Sequence, residues 1–71
     1  MKRHYLNIGN AQRLPFGQNV YFECDVCGMA IRSLAGENEP WECTCGNVWV
    51  DPPQGRAGAK DRSKMRVFEA L

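Results

Sequence analysis

Four cysteines stand in two tight pairs, Cys24 with Cys27 and Cys43 with Cys45, and a glycine follows each pair, at Gly28 and Gly46. Two thiolates this close at a chain reversal can face one ion, and the glycine behind them lets the backbone turn at positive φ. Fifteen residues separate Cys27 from Cys43, a spacing that reads as a pair of zinc-binding knuckles. Four sulfur ligands fill a tetrahedral shell and leave no position for water, so such a metal is structural rather than catalytic. Thiolate softness also admits iron, which makes the identity of the metal a separate question.

Two disulfides are the competing use of four cysteines. The N-terminal Met1-Lys2-Arg3-His4-Tyr5 leads into no apolar run, so the sequence predicts neither a signal peptide nor a membrane span, and hence a cytoplasmic location. Thiols stay reduced in that compartment, which favours metal ligation over cross-linking.

The elements that must hold these ligands have little material to draw on. At 71 residues the chain is near the lower limit at which a hydrophobic core stands unaided, because ordering costs of about 1.5 kcal/mol per residue consume most of what a small core returns. A structural zinc contributes about 10 to 16 kcal/mol of apparent binding free energy, and much of it appears as folding free energy. One zinc per chain is therefore the expected staple.

Val20-Tyr21-Phe22-Glu23-Cys24 is β-branched and aromatic and predicts a strand running into the first knuckle, with Met29 to Leu34 returning from it as a hairpin. Gly36 to Pro40 reads as a polar turn, and Gly46 to Asp51 as a strand leaving the second knuckle, stopped by Pro52-Pro53. Tyr5 to Ile8 predicts a short strand ended by Gly9-Asn10, and Ala11 to Asn19 a loop. Residues 52–62 predict an exposed basic loop. The segment 63–71 fits either a strand, through Met65 and Val67 alternating with Lys64 and Arg66, or a short helix with Met65, Phe68 and Leu71 on one stripe capped by Asp61 or Ser63. A strand is preferred, since a metal-stapled sheet needs one more to cover its face. The fold class is thus a small metal-stapled β protein, an antiparallel sheet of three to five strands in a single domain over 1–71.

Strand, CxxCG, strand, turn, strand, CxCG, strand over residues 20–51 resembles the zinc-ribbon (rubredoxin-like) superfamily. That resemblance implies the same four ligands, Cys24, Cys27, Cys43 and Cys45, and transfers no other role. The CxC of the second knuckle departs from the usual CxxC, which disfavours an iron electron carrier of the rubredoxin kind. More faintly, CTCGNVWVD resembles small bacterial ribbons, some of which occur beside toxin genes as immunity proteins.

Charge is distributed unevenly. Lys2, Arg3 and Arg13 precede an acidic centre of Glu23, Asp25, Glu37, Glu39, Glu42 and Asp51, and Arg56, Lys60, Arg62, Lys64 and Arg66 follow it. A zinc ion with four thiolates adds about −2 to that centre. His4 is a remote candidate ligand and reads as an exposed terminal residue; Glu23, Asp25 and Glu42 read as a solvated acidic rim rather than proton-transfer groups. Trp41 and Trp49 are candidate base-stacking platforms, but their acidic surroundings favour core and metal-shielding roles. If Val48 and Val50 face inward, Trp49 faces out.

No nucleophile and base pair can be named, so the expectation is a non-enzymatic protein. It binds, and through that binding inhibits or regulates, a protein partner by a surface including Trp49, Arg56, Lys60 and Arg62. Nucleic-acid binding through the basic arms is the alternative, and iron-based electron transfer ranks below it. Neither a membrane nor a small-molecule substrate is indicated.

Overall fold

The computed structural model describes residues 2–9 and 13–71, and among them the secondary structure is all β apart from two single 3-10 turns. The strands are β1 (Arg3–Leu6), β2 (Val20–Cys24), β3 (Ala30–Arg32), β4 (Val48–Asp51), β5 (Arg56–Ala59) and β6 (Met65–Ala70). They form two antiparallel sheets, one in the order β1-β6-β2-β3 and the other pairing β4 with β5.

β2 is the strand its β-branched and aromatic residues predicted, and it is covered on both faces. Val20, Phe22 and Cys24 are buried on one face, where Ile31 of β3, Val48 and Val50 of β4 and Met65 and Val67 of β6 meet them. Phe22 lies opposite Ile31 on one side and Val67 on the other. Cross-strand pairing of this kind sets the register, because a slip of one residue would expose the whole apolar set. The two sheets meet through this core.

The other face of the larger sheet is closed differently. Phe68 is fully buried there, with Tyr21 stacked on it at 5.1 Å and 7°, Tyr5 tilted against it at 5.4 Å and the Arg3 guanidinium 4.5 Å above its ring. Beside this cluster Glu23 is only 7 % exposed. Its carboxylate takes Arg3 at 2.6 Å and Arg66 at 3.1 Å and accepts a hydrogen bond from the Tyr5 hydroxyl at 2.8 Å. Glu23 is therefore not part of a solvated rim; a charge buried this far requires the partners it has. Arg66 also pairs with Asp25 at 3.0 Å, so one cation from each basic arm is matched to the acidic centre.

Several expectations are corrected. The predicted basic loop contains a strand, Arg56–Ala59, paired with Asp51 to Val48; small side chains satisfy it because Ala57 and Ala59 pack on the core and Gly58 lies under Trp49. The segment 63–71 supplies a strand, as preferred, Met65–Ala70, and it occupies an interior position of its sheet between β1 and β2. Asp61 caps only a single 3-10 turn, Arg62–Lys64, its carboxylate accepting from the Ser63 N–H at 3.1 Å. The N-terminal strand runs from Arg3 to Leu6 rather than from Tyr5 to Ile8, and β3 is confined to Ala30–Arg32. Asn10, Ala11 and Gln12, parts of the expected turn and loop, lie outside the described residues.

Candidate metal centre

Both knuckles are built by the same backbone pattern. In the first, the Cys24 N–H donates to the Met29 carbonyl and the Gly28 N–H to the Cys24 carbonyl, each at 2.8 Å. In the second, the Cys43 N–H donates to the Val48 carbonyl at 2.8 Å and the Gly46 N–H to the Cys43 carbonyl at 2.9 Å. Both turns close on left-handed glycines, Gly28 at φ +78° and Gly46 at +80°, a conformation that costs a residue with a Cβ about 1 to 2 kcal/mol.

The turns bring Cys24, Cys27, Cys43 and Cys45 together, with all four sulfurs within 4.8 Å of one another. Cys45 Sγ lies 3.6 Å from both Cys24 Sγ and Cys43 Sγ. A tetrahedral zinc site with metal to sulfur distances of about 2.3 Å has sulfur to sulfur edges of about 3.8 Å, so the donor set fits a single four-coordinate ion. All four thiols are free of disulfides. Cys24 and Cys43 are buried and Cys27 and Cys45 face outward.

The surrounding dipoles are arranged for anionic sulfur. The Val26 N–H points at Cys24 Sγ (3.3 Å) and the Val48 N–H at Cys43 Sγ (3.2 Å). The Cys27 thiol is held down at about 6, mainly by the backbone N–H groups of Cys45 and Met29. For Cys24, burial pushes upward, but the N–H groups of Cys27 and Val26 together with the neighbouring thiols outweigh it and lower the value. Cys45 receives the Asn47 N–H, which favours the anion, yet lost solvation and its three sulfur neighbours push it up to about 12. The sulfur neighbours that oppose a thiolate at Cys45 are the charge that a divalent cation held among the cluster would offset.

Asn47 has a role the sequence reading missed. Buried behind the second knuckle, it points its side-chain amide at Cys24 Sγ (3.8 Å) and accepts the Asp61 N–H on its carbonyl oxygen at 2.8 Å. One side chain thus ties both knuckles to the chain that leads into β6. The only hint in the sequence is an amide placed directly after CxCG.

His4 is exposed on β1 and is not part of the sulfur cluster. Val48 and Val50 face the core and Trp49 faces out, 37 % exposed. Trp49 lies opposite Gly58 and Arg56 opposite Asp51, so the indole and the guanidinium share the outer face of β4 and β5. Lys60 follows directly, with its ammonium 3.8 Å from where a Cβ on Gly46 would stand, beside the second knuckle. Arg62 is half-buried in the turn before β6 and lines a separate groove with Leu6, Ile8 and Met65. Three of the four surface candidates therefore gather around β5 and the fourth does not.

Among the described residues no helix is long and apolar enough to cross a membrane. Comparison with protein-family models, curated proteins and solved structures finds no match to this chain. The four-cysteine cluster in a small all-β chain nonetheless fits a zinc-ribbon-like fold and suggests structural metal binding.

Proposed function

We propose that this chain is a non-enzymatic, zinc-stapled β module that binds a protein partner through the outer face of β4 and β5, inhibiting or regulating that partner by occupancy. The clustered sulfurs support a closed site, since four protein donors leave no position for substrate or water. Zinc is preferred over iron because the second knuckle is CxC rather than CxxC.

The observation that carries the binding role is the placement of Trp49. Its ring rests on Gly58, yet 37 % of the residue remains in solvent. An indole held in place by its own sheet gives a partner a large contact at small entropic cost, the property shared by energetic centres of protein interfaces. The alternative, a nucleic-acid surface, draws on Trp49, Arg56 and Lys60 together. Glu42 stands opposite Trp49 and Asp51 opposite Arg56, so a long polyanion tracking Trp49, Arg56 and Lys60 across the face meets acid on the β4 side, whereas the groove lined by Arg13, Trp49 and Arg56 contains none.

Affinity capture of the tagged full chain from its native cells tests this reading. A stoichiometric protein whose recovery is lost with Trp49→Ala supports it. Recovery of nucleic acid alone, in a manner that weakens steeply with salt, replaces it with the alternative.

A further inference from the structure

The β5 strand has one edge against β4 and another that meets no strand. Alternation along an antiparallel ladder fixes which groups that second edge presents. The Lys60 N–H donates to the Asn47 carbonyl, toward β4, so Ala59, one residue before it, points its N–H and carbonyl away from β4, and so does Ala57. The other side of the ladder agrees: the Val50 N–H, opposite Ala57, donates to the Trp41 carbonyl, away from β5. Among the described residues no further strand or side chain takes up these groups on Ala57 and Ala59.

A groove of about 720 Å³ opens at the Ala57 end of β5, lined by Arg13, Leu14, Phe16, Trp49, Arg56 and Ala57 among others. Its lining includes two arginines and no acid. Neither arginine is ion-paired among the described residues, in contrast to Arg3, Arg32 and Arg66. Small side chains leave the approach open, since Ala57 and Ala59 turn inward and Gly58 projects nothing. Native edges are normally blunted by charge, proline or cover to stop such pairing. Here Ala57, Gly58 and Ala59 are bare, and the charge stands at the ends of the strand, on Arg56 and on Lys60 just beyond it.

We propose that the free edge of β5 accepts an extended, acidic segment of the partner protein as an added strand. Backbone hydrogen bonds to Ala57 and Ala59 supply the pairing, while Arg13 and Arg56 select carboxylates and Leu14, Phe16 and Trp49 take the apolar side chains between them. Strand addition of this kind gains affinity from the main chain and specificity from alternate side chains. The inference rests on the protein-binding reading and names its site and the chemistry of its occupant.

The test titrates a capped nine-residue peptide of alternating Glu and Val into the isotope-labelled full chain with its metal bound, followed by NMR. A Lys and Val counterpart and a nine-nucleotide oligothymidine serve as the other probes. Expected are shifts centred on Ala57 and Ala59, slowed exchange of those two amides, no response to the basic peptide, and an affinity about tenfold lower in Arg13→Glu or Arg56→Glu. Ala57→Pro, which deletes an outward N–H and leaves the β4 ladder intact, abolishes binding; the arginine variants decide the matter if that variant does not fold.

The proposal is overturned if the acidic peptide leaves Ala57 and Ala59 unmoved at millimolar concentration, if the charge reversals change nothing, or if oligothymidine binds the same edge in preference. A captured partner protein that contacts a different surface also overturns it while leaving the protein-binding reading intact. Failure to capture any protein counts against the reading itself.

Discussion

Gly58 lies beneath Trp49 so closely that a Cβ added to it would stand 2.8 Å from Cζ2 of the indole. The contact explains why position 58 is glycine, since the ring can lie on the strand only where no side chain stands. Gly58→Ala should lift the indole off the sheet, at a cost of about 1 to 3 kcal/mol. A lower melting temperature together with red-shifted Trp emission would confirm it; an unchanged spectrum would show that the ring does not rest there.

Glu23 should matter more than its place in an acidic stretch suggests. Glu23→Gln leaves Arg3 and Arg66 without the carboxylate that both of them engage. With both arginines partly in solvent, the expected loss is about 1 to 2 kcal/mol. Chemical denaturation of the variant measures it, and a loss no larger than that of an exposed Glu37→Gln control would contradict the role.

The backbone turns at the knuckles give a third expectation. Gly46→Ala meets nothing closer than the Lys60 ammonium at 3.8 Å, so its cost is conformational, about 1 to 2 kcal/mol for a non-glycine residue at φ +80°. Metal competition titrations should show affinity weakened by about tenfold. Equal affinity would mean that the turn relaxes at no cost.

The loop between the knuckles should loosen in acid. Glu39 is held below the ordinary carboxylate range, first by the Gly36 N–H and then by Arg32, with the burial cost overcome. Because its folded value is lowered, the stabilisation is full above the ordinary Glu range and is lost as pH falls through the folded value. Amide exchange at Gly36, and at the Trp41 indole N–H that donates to the Gly36 carbonyl, should accelerate over that acidic window. Glu39→Gln should show the faster exchange already at neutral pH.

Much of this architecture was legible because period and punctuation agreed. Val20 to Cys24 is rich in β-branched and aromatic residues, as a buried strand is, and glycines mark where both knuckles turn. What escaped was decided at a distance. Arg56–Ala59 has no β-branched residue, and its strand exists because Trp49, Val48 and Val50 supply a surface to which only small side chains conform. The burial of Glu23 depends on Arg3 and Arg66, which lie in separate strands and reach it only after β6 inserts between β1 and β2. Local pattern identifies the ligands; the order of strands determines which charges are spent inside the molecule and which remain at its surface.

The central claim is that a metal held by Cys24, Cys27, Cys43 and Cys45 staples the two sheets. Its most direct measurement is metal content combined with far-UV circular dichroism before and after chelation. Expected are a colourless protein with one zinc per chain, a β spectrum that collapses when the zinc is removed and returns when it is restored, and a Cys43→Ser variant that does not fold. A chain that keeps its spectrum and melting temperature after complete removal of the metal would contradict it.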